Sequence, residues 1–472
     1  MRILLPLSAV VLFLAACSGI EPSEPYGACP TPQQVEWQRM EMNMFCHFGP
    51  NTFTNAEWGN GNEADSIFNP SDLDCMQWAT TAKAAGMRGI ILTAKHHDGF
   101  CLWPNPESDH TVAQCTWRDG KGDVVAELRK ACRKTGLKMG LYISPWDRNA
   151  PTYGTDEYNN TFARTLEHIL DNYGPVFEQW FDGANGEGPK GKRQKYDWPL
   201  FDSIVLSLQP NAIIFSDVGP GCRWVGNENG KAGKTCWSTL NTEGFYPGAG
   251  SPPTDTLNQG NVNGSRWIPA ETDVSIRPGW FWHPNEHPKS LDKLLDIYFS
   301  SVGRNSLLLL NVPPDTSGHI AQEDSIRLVE LRHAIDSIFA TDLAAKAHIT
   351  ASNTRGSNTG KGAYNPNHLI DTLYDSYWAT DDNVLTANVT LTFADTVSFN
   401  IIMLQEYIPL GQRVAAFSIE YCDFDGNWQS LVSGTTIGYK RLLRIPKVTA
   451  QAIRVNIDKA YACPVLNRIA LF

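Results

Sequence analysis

The chain has 472 residues, 42% of them hydrophobic, 11% aromatic and only 19% charged, which excludes disordered and fibrous classes and supplies a large core. Its 39 Lys and Arg against 50 Asp and Glu leave a formal net charge of −11, so a general nucleic-acid binder, which needs a basic face, is excluded as well. At roughly 150 residues per domain, and with α/β barrels often larger, two domains are expected.

In chain order, Arg2 precedes an apolar run from Ile3 to Leu14 that is too short to cross a hydrocarbon layer of ~30 Å and reads as the core of a signal peptide over residues 1–16. Leu14-Ala15-Ala16-Cys17 then resembles the processing site of bacterial lipoproteins, with Cys17 as the lipidated residue and residues 17–34 as a tether. The expectation is a cell-envelope lipoprotein, periplasmic or on the outer-membrane surface, whose membrane contact is the lipid on Cys17 alone. Ten further cysteines follow at irregular spacing without a Cys-x-x-Cys pair, which speaks against thiolate metal ligation. Cys101 with Cys115 and Cys222 with Cys236 are candidates for closing loops, with the pairing open.

From about Trp37 to Ile338, β-rich runs alternate with helical patterns, the sign of a parallel sheet or barrel. Strands are expected at Gly89–Thr93, Met139–Ile143, Phe177–Phe181, Ala212–Ser216 and Trp267–Ala270, and helices at Leu73–Ala85, Val124–Thr135, Thr161–Tyr173, Pro199–Leu208 and Glu323–Phe339. The fold class is thus a (β/α)8-like barrel over residues 35–340. In such a barrel, catalytic side chains sit at the C-terminal ends of strands. That filter selects Lys95-His96-His97-Asp98, Tyr142 to Trp146, Asp182, Asp217 and Glu271, a convergence of polar and aromatic groups on one rim. The 15 Trp, 15 Tyr and 20 Phe serve mostly as core, but their flat rings and hydrogen-bonding edges also suit sugars. His96, His97 and His47 invite comparison with a metal-dependent hydrolase; adjacent residues at a strand end point to opposite sides, which argues against a shared metal.

The composition changes near Ala344. Residues 348–472 carry short alternating runs at His348–Ala351, Asn388–Phe393, Phe399–Leu404, Ala416–Tyr421, Ala452–Ile457 and Ile469–Phe472, separated by turn residues, which predicts an antiparallel β-sandwich.

Several runs occur in a specific order: Phe45-Cys46-His47-Phe48-Gly49, Glu57-Trp58, Thr93 to Phe100 with Trp103-Pro104, and Trp180-Phe181-Asp182-Gly183. Together they resemble the α-L-fucosidases of glycoside hydrolase family 29. Arg223 to Glu228 (RWVGNE) and Glu271 to His283 (ETDVSIRPGWFWH) are similar to the branch acting on α-1,3/1,4-linked fucose, and the likeness runs from about residue 35 to 315. The resemblance implies a retaining exo-acting hydrolase of fucosylated oligosaccharides, with Asp182 as nucleophile, Glu228 as acid/base and no cofactor required. Retention needs one ionised carboxylate beneath the anomeric carbon and a second carboxyl with a raised pKa to protonate the leaving oxygen. Glu271 competes for the second role on barrel geometry, and is otherwise expected to support the site or touch sugar. By the same resemblance His47, Glu57, Trp58, His96, His97 and Tyr142 hold hydroxyls. Phe45, Trp180 and Trp282 are candidates for the apolar wall, Arg277 for an oxygen contact, and Trp146 and Asp147 for the leaving-group side.

Pro366 to Leu369 with Tyr377 to Asp381, and Ile401 to Arg413 leading into Phe417 to Tyr421, resemble the discoidin-like fold of carbohydrate-binding module family 32. Such modules often carry a structural calcium near an Ile-Asp-Gly turn; here Ile370-Asp371 is followed by Thr372, and Arg468 stands where a closing Glu is expected. Tyr374 and Trp378 are candidate sugar contacts, Trp378 with a competing place in the core, and the module could equally brace the barrel. The alternative to an enzyme is a surface glycan-binding protein with an inactive barrel; a third reading is a metal-dependent barrel hydrolase.

Overall fold

The computed structural model describes residues 20–357 and 362–472; the signal run and Cys17 lie outside the described residues. Eight parallel strands close a barrel in sequential order: β1 (Met42–Cys46), β2 (Gly89–Lys95), β3 (Lys138–Ile143), β4 (Glu178–Trp180), β5 (Ile213–Ser216), β6 (Cys222–Trp224), β7 (Ala270–Ser275) and β8 (Ser306–Asn311). Both faces of these strands are covered, so they read as continuous apolar runs. Alternation still sorts them: Met44, Cys46, Ile90 and Leu92 pack outward against the helices. Phe45, Ile91, Tyr142, Trp180, Phe215 and Leu309 fill the interior, which α1 (Pro32–Gln38) closes from below with Trp37.

Among the described residues the outer layer comprises α2 (Cys75–Ala84), α3 (Val124–Thr135), α4 (Asp156–Asn172), α5 (Trp198–Leu208), α6 (Leu291–Ser300) and α7 (Gln322–Ile338). Between β5 and β6 no helix intervenes; a Gly219-Pro220 turn joins the strands directly. After β6 the chain makes the opposite compromise. Residues 225–269 form a long excursion in which Thr239–Leu240 pairs antiparallel with Arg266–Trp267. The expected strand at Trp267–Ala270 is therefore two elements, an outer ribbon ending at Trp267 and a barrel strand starting at Ala270.

The C-terminal domain is an antiparallel β-sandwich with strand order β10-β15-β11-β14-β12-β13 and β9 added beside β11. Its strands are β9 (His348–Ala351), β10 (Trp378–Ala379), β11 (Ala387–Glu406), β12 (Val414–Cys422), β13 (Trp428–Gly434), β14 (Arg441–Ala460) and β15 (Val465–Leu471). The runs 388–393 and 399–404 belong to one strand, because the intervening polar residues form register shifts rather than a turn. Residues 20–26 run along this domain: Arg355 donates to the carbonyls of Glu21 and Pro22, and Arg413 to that of Glu24. Gln412 accepts from Ser238 N–H (2.8 Å) and donates to the Cys236 carbonyl (3.0 Å), tying the domain to the excursion after β6. All ten described cysteines are free; Cys222 faces Glu178, and Cys236 lies beside the Arg223 guanidinium. Among the described residues no helix is long and apolar enough to cross a membrane.

Candidate active site

Because β4 ends at Trp180 with Phe181 packed into the outer layer, Asp182 emerges at the barrel mouth, partly exposed. Both its oxygens are held. Oδ1 accepts the Ala184 N–H at 2.7 Å and Oδ2 accepts the Tyr142 hydroxyl at 3.0 Å. Tyr142 is itself fixed between Trp180, at a ring separation of 5.2 Å, and His96, at 5.7 Å. Burial and the Asp182 charge hold its hydroxyl protonated, well above the usual phenol range.

Three imidazoles complete this wall. Ser144 Oγ donates to the Trp146 carbonyl (3.0 Å), so it accepts from His97 Nδ1 (2.7 Å). The neutral ring then carries its lone pair on Nε2, 3.7 Å from Asp182 Oδ2, and these two facing acceptors suit a hydroxyl donor between them. Asn311 Oδ1 accepts both the backbone N–H and Nδ1–H of His47, while its amide nitrogen donates to Ser275 Oγ (2.9 Å) and the Trp280 carbonyl (2.8 Å). His47 therefore also keeps a bare Nε2. Burial pushes His47 down to about 3 and His97 to about 4, the latter against the opposing pull of Asp182; His96 is driven well below its ordinary value. The result is a set of neutral acceptors suited to hydroxyl groups. The expectation that His96 and His97 diverge fails: β2 ends at Lys95, strand alternation stops there, and the two rings lie 4.1 Å apart. Even so, the one ligand-spaced cluster among the described residues is Glu178, Cys222 and Glu271, not the histidines.

Phe45 contributes the apolar side, 4.5 Å from the His47 ring and 5.2 Å from Trp180. Trp280 also faces His47, at 5.1 Å, and Phe281 meets it edge-on at 5.4 Å. Trp282 has no ring contact with this group, so the apolar wall expected of it falls to Trp280 instead. Glu57 organises the loop carrying both: its carboxylate accepts the N–H groups of Trp280 (2.7 Å) and Phe281 (3.2 Å) and pairs with His283 at 2.6 Å. Trp58 is 61% exposed and meets His97 and Trp146 edge-on at the rim.

Glu228 lies on the excursion after β6, at the surface but set among enough protein to be partly desolvated. That desolvation raises its pKa; the Trp280 indole N–H at 3.3 Å opposes the rise, and the Asp182 and Glu57 charges add to it. Asp273, buried on β7, is raised well above the carboxylate range by burial and by the Glu228 charge.

Three candidates sit elsewhere. Glu271 does not follow a strand; it is the second residue of β7, fully buried below the pocket, where Oε1 accepts the Trp180 indole N–H at 2.8 Å. Glu178 lies beside it, and burial pushes both carboxyls up, so the pair retains a proton. The Arg277 guanidinium is spent on Asp324 (2.8 Å), Glu323 (2.6 Å) and the Glu286 carbonyl rather than directed at Asp182 and the imidazoles. Asp147 is a buried partner of Lys95 at 3.0 Å and caps the backbone of Asn149 and Ala150. Asn311, Trp280, His283 and Glu178 stand outside the site residues the sequence selects, whereas Ser144 falls within the strand-end segment Tyr142 to Trp146. Asn311, a polar residue closing the apolar run SLLLLN, carried a usable signal under the strand-end rule.

The calcium expected by resemblance in the sandwich does not fit. Asp371 is saturated by Leu373 N–H, Ser376 Oγ and His368 Nδ1, and Arg468 pairs with Asp342. Trp378 is core, and Tyr374 packs on Arg39 and Tyr407.

Against known proteins, an alpha-L-fucosidase family profile matches residues 25–333 and an F5/8 type C domain profile matches residues 348–469. Alpha-L-fucosidase 1 of Arabidopsis thaliana is 46% identical over 446 residues, 94% of this chain and 87% of its own length. The crystal structure of SpGH29 superposes with a TM-score of 0.90 at 38% identity, covering 96% of this chain and 99% of its own. A Ruminococcus gnavus GH29 fucosidase in complex with fucose gives 0.86 at 33% identity, covering 96% of each chain. With profile, sequence and structure in agreement over a barrel whose mouth presents neutral acceptors and carboxyls, the chain belongs to the α-L-fucosidases of glycoside hydrolase family 29, fucose-releasing hydrolases, here with a C-terminal F5/8 type C domain.

Proposed function

We propose that the enzyme is a retaining exo-α-L-fucosidase that removes terminal α-1,3/1,4-linked L-fucose from branched glycans. The observation that carries this reading is the Asp182 carboxylate, fixed by Tyr142 and Ala184 beside neutral His97, together with a Glu228 carboxyl whose pKa is raised. In the first step an Asp182 oxygen forms a bond to the anomeric carbon while the glycosidic C–O bond breaks and Glu228 transfers its proton to the leaving oxygen. In the second, water attacks that carbon, Glu228 takes the water's proton and Asp182 leaves as carboxylate. The bare Nε2 atoms of His47 and His97 accept sugar hydroxyls, and Phe45 and Trp280 supply the apolar surface for the C6 methyl. The α-1,3/1,4 preference is supported by the RWVGNE and ETDVSIRPGW runs.

Leu14-Ala15-Ala16-Cys17 supports a lipid anchor on Cys17 and an envelope location. The consumption of Tyr374 and Trp378 in packing favours a bracing role for the sandwich. The test is fucose release from a Lewis-type trisaccharide by wild type and Asp182→Asn, with azide present. Activity in wild type, its loss in the variant and a fucosyl azide product from Glu228→Ala support the reading. No release from any linkage refutes it, and full efficiency on p-nitrophenyl fucoside removes the linkage preference.

A further inference from the structure

Beside the pocket, the same rim opens into a second cleft of about 940 Å³, within the 300–1,000 Å³ typical of ligand sites. Its walls come from loops beyond three consecutive strands, within residues 185–196 after β4, 218–220 after β5 and 242–249 after β6, joined by Trp198, Pro199 and Asp202 from α5 and by Arg266. It is continuous with the nucleophile loop. Tyr196 donates to the Ala184 carbonyl at 3.0 Å, and Ala184 is the residue whose N–H holds Asp182. On the other side Gly183 and Gly248 meet backbone to backbone, so closely that a Cβ on Gly248 would lie 2.2 Å from the Gly183 carbonyl oxygen.

The cleft carries features that packing alone does not explain. Phe245 and Tyr246 are 40% and 57% exposed, adjacent on one loop, opposite the half-buried rings of Tyr196 and Trp198. That loop is not slack: Gly248 N–H donates to Asp217 at 2.8 Å and Tyr246 N–H to the Gly250 carbonyl at 3.2 Å. Two large apolar faces are thus held out at the rim, where exposed apolar surface marks a binding site. Among the described residues Asp202 is half-buried with no hydrogen-bond partner; burial pushes it up to about 7, and Arg266 is the cation that acts on it. Rings that stack on the C–H face of a pyranose, flanked by a carboxyl that accepts and a guanidinium that donates to vicinal hydroxyls, match a neutral sugar. An anionic ligand would meet Asp202.

We propose that this cleft binds a pyranose of the substrate beyond the sugars adjoining the scissile bond, so that Tyr196, Trp198, Phe245, Tyr246, Asp202 and Arg266 select for longer fucosylated oligosaccharides. This rests on the fucosidase reading above for its kinetic consequence, but not for binding itself. The test compares wild type, the Phe245→Ala/Tyr246→Ala double variant and Asp202→Asn on a Lewis-type trisaccharide and on an N-acetyllactosamine octasaccharide bearing one α-1,3-linked fucose. The variants are expected to lose about tenfold in kcat/KM on the octasaccharide, mostly through KM, while trisaccharide turnover stays within about twofold. Equal losses on both substrates, or none on either, overturn the proposal. Calorimetric titration of the unfucosylated octasaccharide separates the two readings. Binding to wild type that the double variant loses upholds the cleft even if no fucose is released, and no binding to wild type overturns it whatever the activity.

Discussion

Removing one oxygen atom from Tyr142 tests how the nucleophile is held. The Tyr142 hydroxyl donates to Asp182 Oδ2 at 3.0 Å from a buried ring stacked between Trp180 and His96, so Tyr142→Phe keeps the stack and deletes the donor. A hydrogen bond to a charged group is worth about 1.5–3 kcal/mol, and at about 1.4 kcal/mol per decade its loss lowers kcat/KM by roughly 10- to 150-fold. Asp182 keeps its Oδ1 contact with Ala184, which limits the loss to the lower part of that range. The assay is initial fucose release from a Lewis-type trisaccharide, with thermal unfolding as the check on the fold. A variant with wild-type melting and kcat/KM within about threefold of wild type would refute the claim that Tyr142 positions the nucleophile.

Glu228→Gln should slow release from the trisaccharide by roughly 10²–10⁴-fold and spare fucosyl fluoride, whose leaving group needs no proton. Because burial raises the Glu228 pKa and its protonated form is the acid, wild-type rate should fall as pH rises through that value, a limb that Glu228→Gln lacks. His97 should remain a neutral acceptor down to about pH 4, so kcat/KM loses its binding contribution only as pH falls through about 4; a limb centred at the ordinary histidine value of about 6.5 would contradict the buried tautomer. Arg277→Met breaks a buried pair with Asp324 and should cost about 3–5 kcal/mol of stability, seen as a lower melting midpoint, with KM unchanged; a raised KM at constant stability would return Arg277 to the sugar site.

The barrel was legible because strands such as GIILTAK and MGLYI are apolar on both faces and their helices are amphipathic or well capped; Val124–Thr135 matches the expected helix at both ends, with Asp123 and Gly136 as caps. Strands β1, β6 and β8 went unassigned for different reasons. β6 is three residues long, β1 overlaps the Phe45–Gly49 motif, and β8 is a continuous apolar run whose periodicity does not separate strand from helix. Asp182 and Tyr142 followed from the strand-end rule, since Trp180 and Ile143 do end strands. Glu271 lies inside its strand instead of past its end, because the outer ribbon stops at Trp267 and the barrel strand runs from Ala270 to Ser275. Arg277 and Asp147 show a further limit: a charged residue in a rim motif can be wholly used by a partner distant in sequence, such as Asp324 or Lys95, and spacing carries no trace of that. The network around Asn311, which sets the His47 tautomer and holds Trp280, depends on β8 closing against β1 and appears only once the barrel is closed.

The central claim is that Asp182 forms the covalent bond to fucose. The most direct measurement is mass spectrometry of the enzyme after reaction with 2-deoxy-2-fluoro-fucosyl fluoride, followed by peptide mapping. The account predicts one added fluorofucosyl group, carried by the peptide containing Asp182 and absent from Asp182→Asn. An adduct on any other carboxyl, or fucose release with inversion and no adduct, would contradict it.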